Sequence, residues 1–198
     1  MKIIGHRGAA GLAPESTLAS LLKALEYQVD GIEFDVRVTP DKIPVLQHDQ
    51  EKVNSPDLPT LSEALAVIKN KSTAYVEIKP GEPIEPIVTV LKSAKAYDLR
   101  VGSKSLKTLL ALRRAMPDAQ LFVIEPWSGV RAHLRAIKVG TKLIFMNQRW
   151  LWWGYIRGFK NSGWELYAYT LNDPRKAKRW AGYGLAGVIT DYPDRFAK

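Results

Sequence analysis

Short runs of apolar, often β-branched residues alternate along this chain with longer stretches in which apolar positions recur every three to four residues. The short runs predict strands and the longer pattern predicts amphipathic helices. The predicted strands are 3–5, 31–38, 74–79, 99–102, 120–125, 142–146, 164–170 and 187–190. The predicted helices are 16–27, 61–68, 82–96, 105–116, 129–138, 150–161 and 174–181, with a short helical turn near residue 198.

Strict alternation of strands and helices indicates parallel βαβ units. Helix start signals agree with it: Thr60 and Glu63 form a capping-box pattern, and Asp173 precedes Pro174. Eight such units close most economically into a (β/α)8 TIM barrel, here a compact one, since 198 residues is the lower limit for that fold. An open doubly wound sheet is the alternative, but no glycine-rich phosphate loop follows the first strand. We expect one domain, residues 1–198.

Polar residues cluster where the predicted strands end. They are His6 and Arg7, Glu33 and Asp35, His48 and Asp49 (delivered by an arm at 43–47), Glu77 and Lys79, Thr170 and Asn172, and Asp191. Residues two apart on a strand share a face, so Glu33 and Asp35 point the same way and Glu77 joins them from the next strand. In a barrel these strand ends form the mouth where catalytic groups lie.

Three carboxylates that converge at a barrel mouth repel one another unless positive charge lies between them. A hard divalent cation with oxygen ligands, Mg²⁺ or Ca²⁺, meets that need, with Glu33, Asp35 and Glu77 as its ligands. The alternative is that these carboxylates form ion pairs with Lys79, Arg37 or Arg7.

Histidine is scarce, and two of the three histidines lie in this cluster. His6 and His48 can act as an acid–base pair at neutral pH, whereas His133, in the middle of a predicted helix, is expected to be structural. Arg7 and Lys79 suit an anionic group such as phosphate. A cation site, two histidines and two cationic side chains together indicate metal-assisted phosphoryl chemistry.

Composition narrows the class of protein. The chain has no cysteine, which excludes disulfides and thiolate chemistry, and it shows neither a membrane-spanning apolar run nor a signal peptide, so we expect a cytoplasmic protein. The net charge of +9 is uneven. Residues 1–100 contain 12 Lys or Arg and 14 Asp or Glu, whereas residues 101–198 contain 17 and 6. That asymmetry suggests an anionic partner or a solubilising basic surface.

The chain strongly resembles the glycerophosphodiester phosphodiesterase family. The segments that carry the resemblance are HRGAAGLAPEST at 6–17, GIEFDVRVTPDKIPVLQHD at 31–49, VEIKP at 76–80, YTLND at 169–173 and GVITDYP at 187–193. The resemblance implies a metal-dependent TIM barrel that cleaves glycerophosphodiesters to glycerol 3-phosphate and an alcohol. It also implies metal binding by Glu33, Asp35 and Glu77, acid–base catalysis by His6 and His48, and phosphate contact by Arg7 and Lys79.

This sequence departs from the family pattern in its pocket wall. The family usually inserts a small subdomain after the HD motif, but only residues 50–59 join His48-Asp49 to Thr60 here. Tyr169 stands where the family usually has Trp, and Ser103-Lys104 stands for its Ser-Phe pair. The open pocket leaves room for a second activity, a lysophospholipase D-like cleavage of lysophospholipids. A catalytically silent binding module is disfavoured because every metal and acid–base position holds a competent residue.

The basic residues in the second half of the chain predict a positively charged surface, and the sequence leaves its role open. On a helix at 150–161, Leu151, Trp152 and Tyr155 would pack on the barrel, with Ile156 and Phe159, while Trp153 and Arg157 would face outward beside Trp150 and Lys160. Outward tryptophan with basic residues suits the periphery of an anionic membrane, a homodimer interface, or an ordinary surface. No nucleic-acid-binding motif is present, so we expect no nucleic-acid partner.

Overall fold

The computed structural model describes residues 1–53, 55, 57–94 and 98–197. It contains nine strands within these residues: β1 (Lys2–His6), β2 (Gly31–Val38), β3 (Pro44–Leu46), β4 (Thr73–Ile78), β5 (Leu99–Ser103), β6 (Leu121–Glu125), β7 (Leu143–Asn147), β8 (Glu165–Tyr169) and β9 (Gly187–Thr190). Its α-helices are α1 (Leu18–Glu26), α2 (Leu61–Ile68), α3 (Ile84–Ser93), α4 (Leu106–Ala115), α5 (Gly129–Val139), α6 (Trp153–Asn161) and α7 (Pro174–Tyr183). A 3₁₀ turn at Pro193–Phe196 follows the last strand.

Eight of these strands close into a parallel barrel. Strands β1, β2 and β4 to β9 pair in parallel with their neighbours, and the β1–β2 pairing closes the ring. The remaining strand, β3, is an arm that pairs antiparallel with β2. The (β/α)8 TIM barrel expected from the sequence is therefore confirmed, and the carboxyl ends of the eight strands share one mouth.

The barrel has two apolar layers. Its interior holds aromatic and branched side chains, among them Tyr75, Phe122, Phe145 and Tyr167, all at most 2% exposed. Gly31 lies against the Tyr75 ring so closely that an added Cβ would be 2.4 Å from it, so glycine is what lets that ring fill the barrel. The second layer lies between strands and helices. It includes the outward β2 residues Ile32, Phe34 and Val36, as the alternation in the sequence predicts.

Helix starts follow local capping chemistry. Thr60 and Glu63 form the predicted capping box, and Asp173 accepts hydrogen bonds from the first backbone N–H groups of α7. The helix predicted at 82–96 begins instead at Ile84, because Glu82 is held outside it by Arg37 and the backbone of Val38. Its predicted end, Ala96, lies outside the described residues.

The prediction of one helix over 150–161 was wrong at its start. Gln148–Trp150 form a separate 3₁₀ turn capped by Asn147, Leu151 is extended and buried, and α6 begins only at Trp153. Trp152 therefore does not pack on the barrel as the helical wheel predicts but is 57% exposed. Tyr155, Ile156 and Phe159 do face the core as predicted. No helix in the described part of the chain is long and apolar enough to cross a membrane.

Candidate active site

The strand register brings the predicted acidic residues together. His6 at the end of β1 is paired with Glu33 on β2, and Asp35 two residues further is paired with Glu77 on β4. Since alternate residues share a face, Glu33 and Asp35 point into the barrel mouth, and Glu77 meets them from the side. All three side chains are buried.

One oxygen from each of Glu33, Asp35 and Glu77 lies within 4.8 Å of the others. Oxygens that share a Ca²⁺ or Mg²⁺ ion at about 2.0–2.6 Å each are separated by distances of this size. Asp35 Oδ2 is buried without a hydrogen-bond partner, although Arg7 Nε lies 3.1 Å away in poor alignment. An all-oxygen set with an unsatisfied buried atom fits a hard divalent cation.

The pKa values of Glu33 and Asp35 shift in opposite directions because their charged neighbours differ. Burial, followed by repulsion from the Asp35 carboxylate, raises the pKa of Glu33 to about 7. Burial acts in the same direction on Asp35, but Lys79 and Arg7 outweigh it and hold the pKa of that carboxyl below its ordinary value. Within the described residues, no lysine or arginine side chain forms an ion pair with Glu33. His6, whose Nε2 lies 3.9 Å from Glu33, and Arg7 lower the pKa of Glu33 but do not outweigh burial and the Asp35 carboxylate.

His6 is oriented by a chain of hydrogen bonds from the last strands. Its Nδ1 lies 2.6 Å from Asp191 Oδ1, and Asn172 Nδ2 donates to Asp191 Oδ2 at 2.8 Å. Asn172 Oδ1 in turn accepts hydrogen bonds from Thr190 Oγ1 and the backbone N–H of Asp191. Burial lowers the pKa of His6, but Asp191 and Glu33 outweigh it and raise that pKa overall. With Asp191 ionised, Nδ1 carries the proton and Nε2 is free to face the site.

His48 follows the β3 arm rather than a strand of the barrel. The arm is fixed to β2 by pairing, by the backbone of Gln47 donating to Asp35 O, and by Arg37 Nε donating to His48 O at 2.9 Å. His48 Nδ1 lies 2.7 Å from Asp49 Oδ1, and the hydrogen bonds from His48 and Lys52 lower the pKa of Asp49 to about 2. His48 is more exposed than His6, with 34% against 19% of the side chain accessible.

Three cations lie over the carboxylates. Lys79 Nζ is 2.7 Å from Asp35 and 3.3 Å from Glu77, and Arg7 is held between Asp35 and Glu15. Lys104 Nζ contacts Glu77 at 3.1 Å, with its side chain 32% exposed. Arg37 contacts none of the three carboxylates; it is bonded to Glu82. Of the ion pairs weighed from the sequence, those with Lys79 and Arg7 form and those with Arg37 do not.

The seven residues predicted from the sequence all line one cavity of about 130 Å³ at the barrel mouth: His6, Arg7, Glu33, Asp35, His48, Glu77 and Lys79. Lys104 and Tyr169, which both depart from the family pattern, line the same cavity. Lys104 was missed as a site residue because a lysine after a strand is a weak signal in a chain with 29 basic residues. Asp191 was named in the strand-end cluster but was given no role, although histidines in sites are commonly oriented by a carboxylate.

A fourth buried carboxylate at a strand end has a different role. Glu125, at the end of β6, does not line the cavity. It binds Arg131 through two hydrogen bonds, binds Arg135, and accepts from the backbone N–H groups of Trp127 and Ser128. Glu125 therefore fixes the loop that leads from β6 into α5.

Comparison with known proteins identifies a family for this chain. The model of the glycerophosphoryl diester phosphodiesterase family matches residues 6–57 and 50–195. The chain is 27% identical to YhdW of Bacillus subtilis, covering 100% of this chain and 97% of that protein, and 25% identical to a glycerophosphodiester phosphodiesterase of Caldanaerobacter subterraneus, covering 97% and 94%. A phosphodiesterase of Oleispira antarctica, solved in complex with the product sn-glycerol-3-phosphate, superposes with a TM-score of 0.89 at 25% identity, covering 98% of this chain and 94% of that one.

The fold and the site define a phosphodiesterase of the TIM-barrel class. The chain belongs to the glycerophosphoryl diester phosphodiesterase family. The family and the enzyme class expected from the sequence motifs are thereby confirmed.

The comparisons also indicate where this chain is shorter than its relatives. The alignment with YhdW spans 237 positions, whereas this chain has 198 residues. The family match is broken into two segments that meet at residues 50–57. This overlap of the two matched segments falls between the β3 arm and α2, the place where we expect from the sequence that the family's usual insertion is missing.

Proposed function

We propose that this protein hydrolyses glycerophosphodiesters to glycerol 3-phosphate and an alcohol, with one divalent cation held by Glu33, Asp35 and Glu77. The observation that carries the proposal is the convergence of these carboxylates with His6, Arg7 and Lys79 in one cavity of a family member. A bound cation supplies charge neutralisation for the phosphate and the reacting oxygens. Whether it is Mg²⁺ or Ca²⁺, the ligand set of carboxylate oxygens is the same.

His6 and His48 act as the acid–base pair in this proposal. One imidazole takes the proton from the glycerol 2-hydroxyl, whose oxygen then forms a bond to phosphorus. The other histidine donates a proton to the leaving alcohol oxygen as its bond to phosphorus breaks. Water then opens the cyclic phosphate with the two roles reversed. Asp191 and Asp49 orient the two rings through Nδ1, which leaves each Nε2 for proton transfer.

Arg7 and Lys79 bind the phosphate group. Both are already held at the carboxylates, with 17% and 3% of their side chains exposed, so little conformational freedom is lost when the anion binds. Direct attack by water on phosphorus is the competing route. Accumulation of a glycerol cyclic phosphate, followed by ³¹P NMR, distinguishes the two.

The test is release of glycerol 3-phosphate from a panel of glycerophosphodiesters, with EDTA and with each metal added back. We expect activity that is lost in EDTA and lost in His6→Ala and His48→Ala. His133→Gln is the matched control, because His133 lies outside the site on α5 beside Phe159 and Trp164. Activity that survives both EDTA and His6→Ala would overturn the proposed mechanism.

A second candidate substrate is a long-chain lysophospholipid, cleaved on the headgroup side of phosphorus. The short connection from the β3 arm to α2 favours it, since the wall that an insertion provides in longer relatives is reduced here. The same panel tests it when lysophosphatidylcholine and lysophosphatidylglycerol are included and lysophosphatidic acid is measured as product. A kcat/KM for these lipids at or above that for the glycerophosphodiesters would make the lysophospholipids the main substrates.

A further inference from the structure

Four of the six tryptophans are exposed to solvent. Trp127, Trp150, Trp152 and Trp153 are 64%, 51%, 57% and 57% exposed. Large aromatic side chains are normally buried in a core, and a group of them on a surface marks an interaction site.

These tryptophans lie on the mouth side of the barrel. Trp127 is the second residue after β6, and Trp150 to Trp153 begin three residues after β7, so both segments leave the carboxyl ends of barrel strands. The same strand ends carry the candidate catalytic residues. The two segments are also neighbours, because the ring of Tyr155 in the first turn of α6 lies against Gly129 in the first turn of α5. Val130 beside it is 73% exposed. We call Trp127, Val130, Trp150, Trp152 and Trp153 the tryptophan face.

The segment of the chain that carries this face is basic, although Arg131 and Arg135 within it form ion pairs with Glu125. Residues 126–164 contain no Asp or Glu and seven Lys or Arg, of which Lys142 precedes β7 at the opposite end of the barrel. Arg149 and Arg157 are exposed within it, and the Arg157 guanidinium lies 5.7 Å from the centre of the Trp153 ring. Exposed tryptophan combined with exposed arginine matches the headgroup region of an anionic bilayer, where rings insert at the interface and cations contact lipid phosphates.

A second copy of this chain is a poorer occupant. In a symmetric dimer the same patch faces itself, so the basic segments would oppose each other without an acidic partner from within 126–164. A bilayer that contains anionic lipid supplies the missing negative charge. We propose that the tryptophan face docks this protein on an anionic phospholipid bilayer, with the mouth of the barrel turned toward the lipid. The docking stands on the surface alone; that the site then takes its substrate from the bilayer rests on the proposed function.

Co-sedimentation with large unilamellar vesicles tests the docking without turnover. We expect binding to vesicles of phosphatidylcholine and phosphatidylglycerol at low salt, weak binding to phosphatidylcholine alone, and loss of binding as salt rises. Arg149→Gln with Arg157→Gln should lower the partition coefficient about 30-fold, from the usual contribution of a cation near an anionic surface. Trp152→Ala with Trp153→Ala should lower it at least about tenfold through lost insertion.

Two controls match these variants. Lys71→Gln with Lys142→Gln removes the same charge from exposed positions that precede β4 and β7, at the opposite end of the barrel. Leu22→Ala removes an exposed apolar side chain from α1, far along the ring from α5 and α6. Both controls should change the partition coefficient by less than about threefold. Acyl-chain-brominated lipids should quench the fluorescence of the wild-type protein, and removal of the four exposed tryptophans should abolish that quenching.

The outcomes separate this inference from the proposed function. Absence of binding to anionic vesicles at low salt, or equal losses in the face variants and the opposite-end controls, overturns the docking. Concentration-dependent dimerisation lost in the tryptophan variants, without vesicle binding, overturns it in favour of self-association. Vesicle binding by a protein that hydrolyses no phosphodiester supports the docking and refutes the proposed function instead.

Discussion

Replacing Asp191 by Asn changes one hydrogen bond to His6 while keeping the size of the side chain. Asn172 Nδ2 donates to the other oxygen at position 191, and Asn172 cannot be turned around because its Oδ1 accepts from Thr190 Oγ1 and the backbone of residue 191. The amide introduced by Asp191→Asn must therefore present its oxygen to Asn172 and its NH₂ group to His6 Nδ1. His6 Nδ1 then becomes an acceptor, and the proton moves to Nε2.

The size of the expected fall in kcat follows from the two catalytic functions that His6 loses in the variant. As a base it loses the Nε2 lone pair, and as an acid it loses the carboxylate that stabilises its protonated form. General acid–base catalysis contributes about 10²- to 10⁴-fold, so kcat should fall by about that factor, equivalent to about 3 to 5 kcal/mol. The geometry of the cluster should stay intact, because neither the Asn172 contact nor the register of β9 changes.

Steady-state hydrolysis of glycerophosphodiesters measures the loss, and long-range ¹H–¹⁵N spectra of the imidazole report the tautomer directly. Asp194→Asn is the matched control, since Asp194 is exposed three residues further along the chain. A change in kcat below about threefold, with Nδ1 still protonated, would refute the reasoning.

Three other predictions concern neighbouring groups. Lys104→Met should raise KM about two- to fivefold and tighten Mg²⁺ binding in calorimetry, because it removes a cation that attracts phosphate but repels a metal beside Glu77. Lys104→Arg should retain the wild-type KM. An unchanged KM in the Met variant would exclude contact between Lys104 and the phosphate. Asp35→Asn should abolish the rise in Tm of about 5–10 °C that saturating Mg²⁺ or Ca²⁺ produces by binding the folded state, whereas exposed Asp41→Asn should keep it. Glu125→Gln should lower the free energy of unfolding by about 2–3 kcal/mol at pH 7 in urea titrations. Arginine contacts outweigh burial and lower the pKa of Glu125 in the folded state. The contribution of Glu125 to the free energy of unfolding is therefore complete above the ordinary glutamate pKa and is lost as the pH falls through the lowered value. The difference in stability between wild type and variant should accordingly shrink in acid.

The convergence of most of the candidate site residues could be predicted from the sequence, for a physical reason. Glu33 and Asp35 are two apart on a strand whose intervening residues are apolar, so the pleat alone assigns them to one face. Parallel pairing then fixes their neighbours, and the motif spacing identifies the arm that carries His48. Strand pairing alone does not predict which lysine or arginine contacts each carboxylate. Lys104 reaches Glu77 through a flexible side chain, and no periodicity records that contact.

The start of α6 shows where periodicity fails. Leu151, Trp152 and Tyr155 have helical spacing, but the Asn147 cap and the burial of extended Leu151 delay the helix to Trp153. That delay moves Trp152 from the core to the surface. Local capping and one tertiary contact thus outweigh the pattern, and they create the surface that the docking proposal uses.

The hydrogen bond from His6 to Asp191 joins residues 185 positions apart in the chain. During synthesis, the three candidate metal-binding carboxylates, His6 and His48 emerge long before the residue that orients His6. The barrel also cannot close until β9 pairs with β1. A nascent chain, or one clipped before β9, therefore carries every candidate catalytic group yet lacks the oriented imidazole. Full hydrolytic activity is for this reason expected only after β9 has paired with β1 and Asp191 has reached His6.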